Sequence, residues 1–137
     1  MSIVVMQQWV QEIGQRIGAP SLSLTGHTCT LTGAHCDLII EYEEATDSAH
    51  LWSPVATLPA DLDTVDYADL YETLLAENLT GSSTAGARFA FDAAKNRILL
   101  CESLPVREEY GEVFHTLVPI MLKLSEQWHA RFNDTEA

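Results

Sequence analysis

The chain has 137 residues, 47% of them apolar, and it carries 20 Asp and Glu against 7 Lys and Arg for a formal charge of −13. The length fits one domain and the apolar share excludes a disordered chain. The charge disfavours nucleic-acid backbones and anionic membrane surfaces, and favours a basic or neutral partner.

The first helix is expected over residues 2–17. Ser2 is its candidate N-cap, and Ile3, Met6, Val10, Ile13 and Ile17 recur at steps of three and four. Val5 and Trp9 flank that stripe, and Gly18 followed by Pro20 stops it. Leu22 and Leu24 then alternate with Ser21, Ser23 and Thr25 up to Gly26, a candidate bulge. His27, Cys29 and Leu31 alternate with threonines, and Cys36, Leu38, Ile40 and Tyr42 with Asp37, Ile39, Glu41 and Glu43. This is a hairpin turned at Gly33-Ala34, with one buried and one mainly polar face. A third strand over about 50–58 carries Leu51 and Trp52, and its Pro54 predicts a bulge or a place on a sheet edge.

After a connector at 59–63, Asp63 or Thr64 caps a second helix over about 65–79, with a stripe of Tyr67, Leu70, Tyr71, Leu74, Leu75 and Asn78. A loop of small residues at 80–86 leads into a second hairpin. Arg88–Asp92 holds Phe89 and Phe91 on one face, residues 93–96 turn, and residues 97–103 return with Ile98, Leu99, Leu100 and Cys101. The last helix covers about 108–132 with a stripe of Tyr110, Phe114, Leu117, Met121, Leu124 and Trp128, and Pro119 predicts a kink in it. Residues 133–137 are expected to fray. The whole, 1–137, is expected to be a single α+β domain of order α-β-β-β-α-β-β-α, a five-stranded twisted antiparallel sheet with three helices. The two long stripes need one common sheet face. The aromatic side of the middle helix then needs a second partner.

No stretch reaches the roughly 18–20 apolar residues of a membrane span. Met1–Trp9 lacks the positive start of a signal peptide. Cys29, Cys36 and Cys101 are an odd number without a disulfide framework, so the expected setting is a reducing cytoplasm. No catalytic set is found. His27, Cys29, His35 and Cys36 are the one cluster resembling a metal site, but alternation points His35 away from the others, so no metal and no cofactor are expected. No cysteine lies in a nucleophile signature, no glycine loop precedes Lys-Ser or Lys-Thr, and no serine sits in a Gly-x-Ser-x-Gly elbow. The surplus apolar groups are more informative. Ile39 sits on the polar side of its strand, Val5 and Trp9 flank the helix stripe, and Trp52 adjoins the proline strand. With Leu22 and Leu24 they form the expected partner-binding set, suited to an extended apolar segment added along a sheet edge.

Arg16-Ile17-Gly18-Ala19-Pro20 closing the first helix, Leu74–Leu79 ending the middle one, the Gly86–Asp92 strand with its turn, and Arg97–Pro105 together resemble the class I chaperones of bacterial type III secretion, the Tir-chaperone-like group. The resemblance covers about residues 3–130. It implies a cytoplasmic bacterial homodimer without enzymatic activity, which holds the N-terminal region of a secreted effector in extended form and keeps it soluble. Some members instead bind regulators of the secretion genes. It implies a dimer contact through the middle helix and the following strand, here Tyr67, Leu70, Tyr71, Leu74, Phe89 and Phe91. Pro54 and Pro119 depart from the pattern. Outside this class, a small enzyme built on the His/Cys cluster would require stoichiometric zinc, and a structural subunit would require a permanent partner.

Overall fold

The computed structural model describes residues 2–59, 63–81, 84 and 86–134. Helix α1 (Ser2–Arg16) is followed by strands β1 (Thr28–Thr32), β2 (Asp37–Glu43) and β3 (Ser48–Thr57). Helix α2 (Thr64–Thr80), strands β4 (Arg88–Asp92) and β5 (Arg97–Pro105), a single 3-10 turn (Glu108–Tyr110) and helix α3 (Gly111–Asp134) complete the chain. All neighbours in the sheet are antiparallel and their order is β1-β2-β3-β5-β4. The expected element order and α+β class are those of the structure.

The local signals act much as the sequence implies. Gly18 takes a left-handed φ of 81°, and Ala19 N–H donates to Gly14 O at 2.7 Å, which closes α1. Ser2 opens α1 but does not cap it. Its hydroxyl donates to Asp47 Oδ2 at 2.7 Å, and Tyr42 OH donates to Asp47 Oδ1 at 2.6 Å. Asp47 thus ties the start of α1 to the β2–β3 turn. Asp63 caps α2 by accepting from Asp66 N–H at 2.9 Å, and Gly81 closes it with φ 64°. Residues 60–62 of the expected connector, and 82, 83 and 85 of the expected loop, lie outside the described residues. So do residues 135–137 of the expected frayed tail, while α3 runs to Asp134.

Two readings of the strands change. Residues 21–27 are not strand. They turn, with one bridge from Thr25 to Thr28. Pro54 does produce a register shift, between Pro54 and Ala56, but β3 lies in the middle of the sheet, not at its edge. A bulge is the arrangement that lets a central strand accept a proline.

One face of the sheet supplies Leu38, Ile40, Ala49, Leu51, Val55, Ile98 and Leu100, all at most 1% exposed. α3 lies across β2 and β3 on that face, and α1 packs beside α3. The buried stripe of α3 is Phe114, Val118, Met121, Ser125 and Trp128. Leu117 and Leu124, expected at its centre, are only partly buried. Ser125 can sit there because its hydroxyl donates to Met121 O at 2.7 Å. α3 is one helix through Pro119, whose ring is on the solvent side. Trp9 stacks on Phe114 with centroids 5.2 Å apart, and a Cβ at Gly111 would lie 3.2 Å from the indole Nε1. Phe89 meets Trp128 edge-on at 4.8 Å. Among the described residues, no helix is long and apolar enough to cross a membrane.

A polar latch joins the β1–β2 turn to α3. Glu126 Oε2 accepts from the main-chain N–H of both His35 and Cys36 at 2.9 Å, and Oε1 lies 2.8 Å from His35 Nδ1. Burial alone would raise the Glu126 carboxyl, but these donors outweigh it and hold the group below its ordinary value. The latch therefore stabilises the fold fully above the ordinary glutamate value of about 4.3, and that stabilisation is lost as pH falls through the lower folded value. Glu126→Gln should lower the urea midpoint at pH 7 and flatten the decline expected in wild type as pH falls below the ordinary glutamate value of about 4.3; an unchanged acid dependence would contradict the latch. Phe114→Ala should cost about 3–5 kcal/mol in urea denaturation, because the ring is fully enclosed between α1 and the sheet.

Candidate partner-binding surfaces

Helices α1 and α3 cover one face of the sheet. The other face carries a row that crosses all five strands, Thr30–Ile39–Trp52–Cys101–Arg88, fixed by the strand register. A second row runs Pro54–Leu99–Ala90. Ile39, Trp52, Pro54, Leu99 and Cys101 are half-buried there by their neighbours alone, so each still offers apolar surface. The Arg97 guanidinium lies 5.9 Å from the centre of the Trp52 ring and donates to Asp92 at 2.9 Å. A third row is polar. His50 Nε2 lies 2.5 Å from Glu43 Oε2, and His50 Nδ1 lies 2.7 Å from Ser103 Oγ. The His50 contact holds the Glu43 carboxyl below its ordinary value. Hollows of about 500 and 450 Å³ lie at the two ends of this face, the first beside Ile39, Pro54 and Arg97, the second beside Trp52, Leu99 and Cys101.

At one margin of the sheet lies β1. The turn before it lines a hollow of about 490 Å³ with Leu22, Ser23, Thr25, Thr28 and Thr30. Leu22 and Leu24 are half-buried against the core and do not belong to a strand. Thr25 and Thr28 exchange main-chain bonds of 2.8 and 3.2 Å on the outer side of β1. Alternation then turns the main-chain groups of Thr30 and Thr32 outward as well.

At the other margin α2 packs on β4. Tyr67, Tyr71 and Phe91 form a ring cluster with centroids 5.8 and 5.9 Å apart. A groove of about 260 Å³ runs between Tyr71, Leu74, Leu75, Asn78, Phe89 and Phe91. Of the six residues expected at a dimer contact, Tyr71 and Phe91 are exposed and Tyr67 and Leu70 are half-buried. Leu74 and Phe89 are each 7% exposed and serve the chain's own core. Two residues outside that expectation are the most exposed large apolar groups of α2 among the described side chains, Leu75 at 68% and Leu79 at 87%. Their spacing of four was the signal available for both.

Trp9 is mainly a core residue and reaches the surface only where it lines the hollow beside Val5. It is 4% exposed, because the contact of α1 with α3 takes the flank of α1 as well as its stripe. Val5 is half-buried and lines a hollow of about 350 Å³ with Gln8, Glu12, Glu108, Glu112 and His115. The His/Cys cluster does not converge. His35 is held by Glu126, His27 meets the edge of the Tyr42 ring, and Cys29 and Cys36 are buried. Among the described residues no three His, Cys, Asp or Glu side chains are disposed to hold a metal ion. Burial pushes all three thiols up to about 11, which keeps them as poorly nucleophilic thiols at neutral pH.

Over residues 8–129 the sequence matches the Tir chaperone protein (CesT) family. The chain belongs to that family. No curated protein sequence matches it. The fold of this Tir chaperone family member is similar to a chain of the ExsC-ExsE complex, at a TM-score of 0.70 and 18% identity over 91% of each chain. It is also similar to a chain of the HopA1-SchA chaperone-effector complex, at 0.70 and 15%, covering 93% of this chain and 94% of the other. A third similar structure is the heterodimeric ExoU-SpcU complex from the type III secretion system of Pseudomonas aeruginosa, at 0.62 and 19%, covering 91% and 95%. At these identities the likeness is one of fold.

Proposed function

We propose that this protein is a type III secretion chaperone of the bacterial cytoplasm. It binds the N-terminal region of a secreted effector in extended form and keeps it soluble and competent for export. The observation that carries the reading is the uncovered sheet face, where Ile39, Trp52 and Cys101 stand in register, with Pro54 and Leu99 in the row alongside, next to the open outer edge of β1. An extended segment crossing that face gains apolar contacts, and main-chain bonding at Thr30 and Thr32 adds to them. Family membership and the chaperone–effector complex among the similar folds support the same assignment. No step of this work needs a bond made or broken, so no catalytic group, metal or cofactor is required.

The protein acts as a homodimer through α2 and β4. Tyr71, Leu75, Leu79 and Phe91 are the apolar groups that a two-fold contact would cover, and each is used twice in a self-complementary interface. The net charge keeps the loaded dimer soluble and speeds capture of a basic segment. A regulator of the secretion genes would use the same sheet face. The ExsC-ExsE complex, similar in fold, keeps that cargo in view, and the partner that co-purifies from a secreting cell separates the two.

Leu75→Asp should weaken dimerisation by at least about a hundredfold, since one exposed leucine lost from each of two copies removes about 3 kcal/mol or more. Light scattering should then find monomers with wild-type circular dichroism. An unchanged dimer would remove α2 from the interface. Ile39→Asp should weaken binding of the co-purified partner's N-terminal segment by about tenfold or more in calorimetry, with the fold intact. Val5→Asp tests the α1 side in the same way. Wild-type affinity in both variants would exclude these patches.

A further inference from the structure

The two margins of the sheet are finished differently. A strand margin normally offers one outward N–H and C=O at every second residue, and each offered pair can accept a strand from another molecule. On β4 these positions are Phe89 and Phe91, and Ala87 precedes them. Asn78, reaching from α2, meets both groups of Phe89. Its Oδ1 accepts the Phe89 N–H at 2.7 Å and its Nδ2 donates to the Phe89 carbonyl at 3.1 Å. Thr84 does the same one position earlier. Its carbonyl accepts the Ala87 N–H at 3.0 Å, and its hydroxyl donates to the Ala87 carbonyl at 2.7 Å. Thr84 is fully buried, so this arrangement is built into the fold. Only the Phe91 pair is left without a partner among the described residues, and one residue is too short for a ladder. On β1 the corresponding positions Thr30 and Thr32 have no such cover among the described residues.

We infer that Asn78 and Thr84 close the β4 margin to strand addition. Two copies of the chain can then meet there only through the side chains of α2 and β4, and an incoming strand is confined to β1. The side-chain amide of Asn78 presents one donor and one acceptor as a neighbouring peptide would, which no apolar or charged residue at that position reproduces. The closure rests on the proposed dimer for its purpose, but not for its existence. It matters most in a molecule that works beside unfolded, strand-seeking chains. An open β4 would join two sheets edge to edge, or take cargo on the surface that pairing requires.

The test is the full chain carrying Asn78→Leu and Thr84→Val, which free both main-chain groups of Phe89 and the carbonyl of Ala87, while the Thr84 main-chain carbonyl keeps the Ala87 N–H. The expected result is association beyond the wild-type mass in light scattering as concentration rises. At dilutions where the variant is unassociated, the Phe89 amide should exchange with deuterium about tenfold faster than in wild type, the effect of one lost hydrogen bond of ordinary strength. A variant with native circular dichroism, wild-type mass and wild-type exchange would overturn the inference. Should the variant not fold, the wild-type protein decides. Its Phe89 amide must be protected like the ladder amide of Ala90, and exchange as fast as an exposed turn amide such as Ala45 would overturn the assignment. A wild-type chain that is monomeric would defeat the dimer reading alone, since growth of the double variant beyond that monomer still reports the plug.

Discussion

The seam between α3 and the sheet is the contact on which every other placement depends. Phe114 and Trp128 are held by Trp9 from α1 and by Phe89 from β4, so α3 fixes both the first helix and the edge strand β4. Glu126 extends the same seam to the β1–β2 turn through three contacts with His35 and Cys36. Because α3 runs across β2 and β3, it covers the centre of one face and leaves nothing over for the other. A sheet covered on one side must expose polar side chains on its second face, or else offer that face to another chain. Here the second face is mixed. The Glu41–His50–Ser103 row is polar, while the Ile39–Trp52–Cys101 row and the Pro54–Leu99 pair are not.

This mixture serves a protein that must be soluble alone and adhesive to one class of partner. The apolar groups on the open face are half-buried by one another and by the Arg97 guanidinium, so the exposed area of each is limited. The net charge of −13 works against association of two identical surfaces and favours a partner of opposite charge. α2 is the exception. It carries Leu75 and Leu79 outward while packing on little besides β4, and the exposed Glu72 adjoins that apolar strip one turn before Leu75. A contact between copies there has to be apolar at its centre and solvated at its rim, which is the usual anatomy of a stable interface.

Much of this was legible from residue order. The strand alternation from Cys29 to Tyr42, the Asp63 cap and the Gly18 stop each depend on neighbours within a few positions. What was not legible depends on partners distant in sequence. Ser2 has the chemistry of a cap, but Asp47 lies close enough to take its hydroxyl. Leu22 and Leu24 alternate as a strand would, yet no strand is there to pair with them. On α3 the centre of the stripe passes through His115 and Ser125, which no hydropathy pattern selects. His115 is buried because Glu12 of α1 lies 3.1 Å from its Nε2, and Ser125 because it bonds within its own helix. Trp9 was placed at the flank of α1 because the pattern gives the direction of a stripe and not its width. The surfaces suffered most from this. A residue with apolar character outside the expected stripe can equally be core, as Trp9 is, or exposed, as Leu79 is.

The unequal finish of the two margins follows from the same topology. β4 is last in the sheet but first after α2, so the helix that precedes it is close enough to bring Asn78 against its free groups. β1 follows α1, which is committed to α3 on the covered face and cannot reach the margin. Among the described residues only the short turn at Thr25 closes back on the outer side of β1, and it satisfies Thr28 alone. Chain order therefore determines which margin is sealed and which stays open. It also places the open margin at one end of the apolar row that begins at Ile39, so that main-chain pairing along β1 and side-chain burial across the sheet are offered by adjoining parts of one surface.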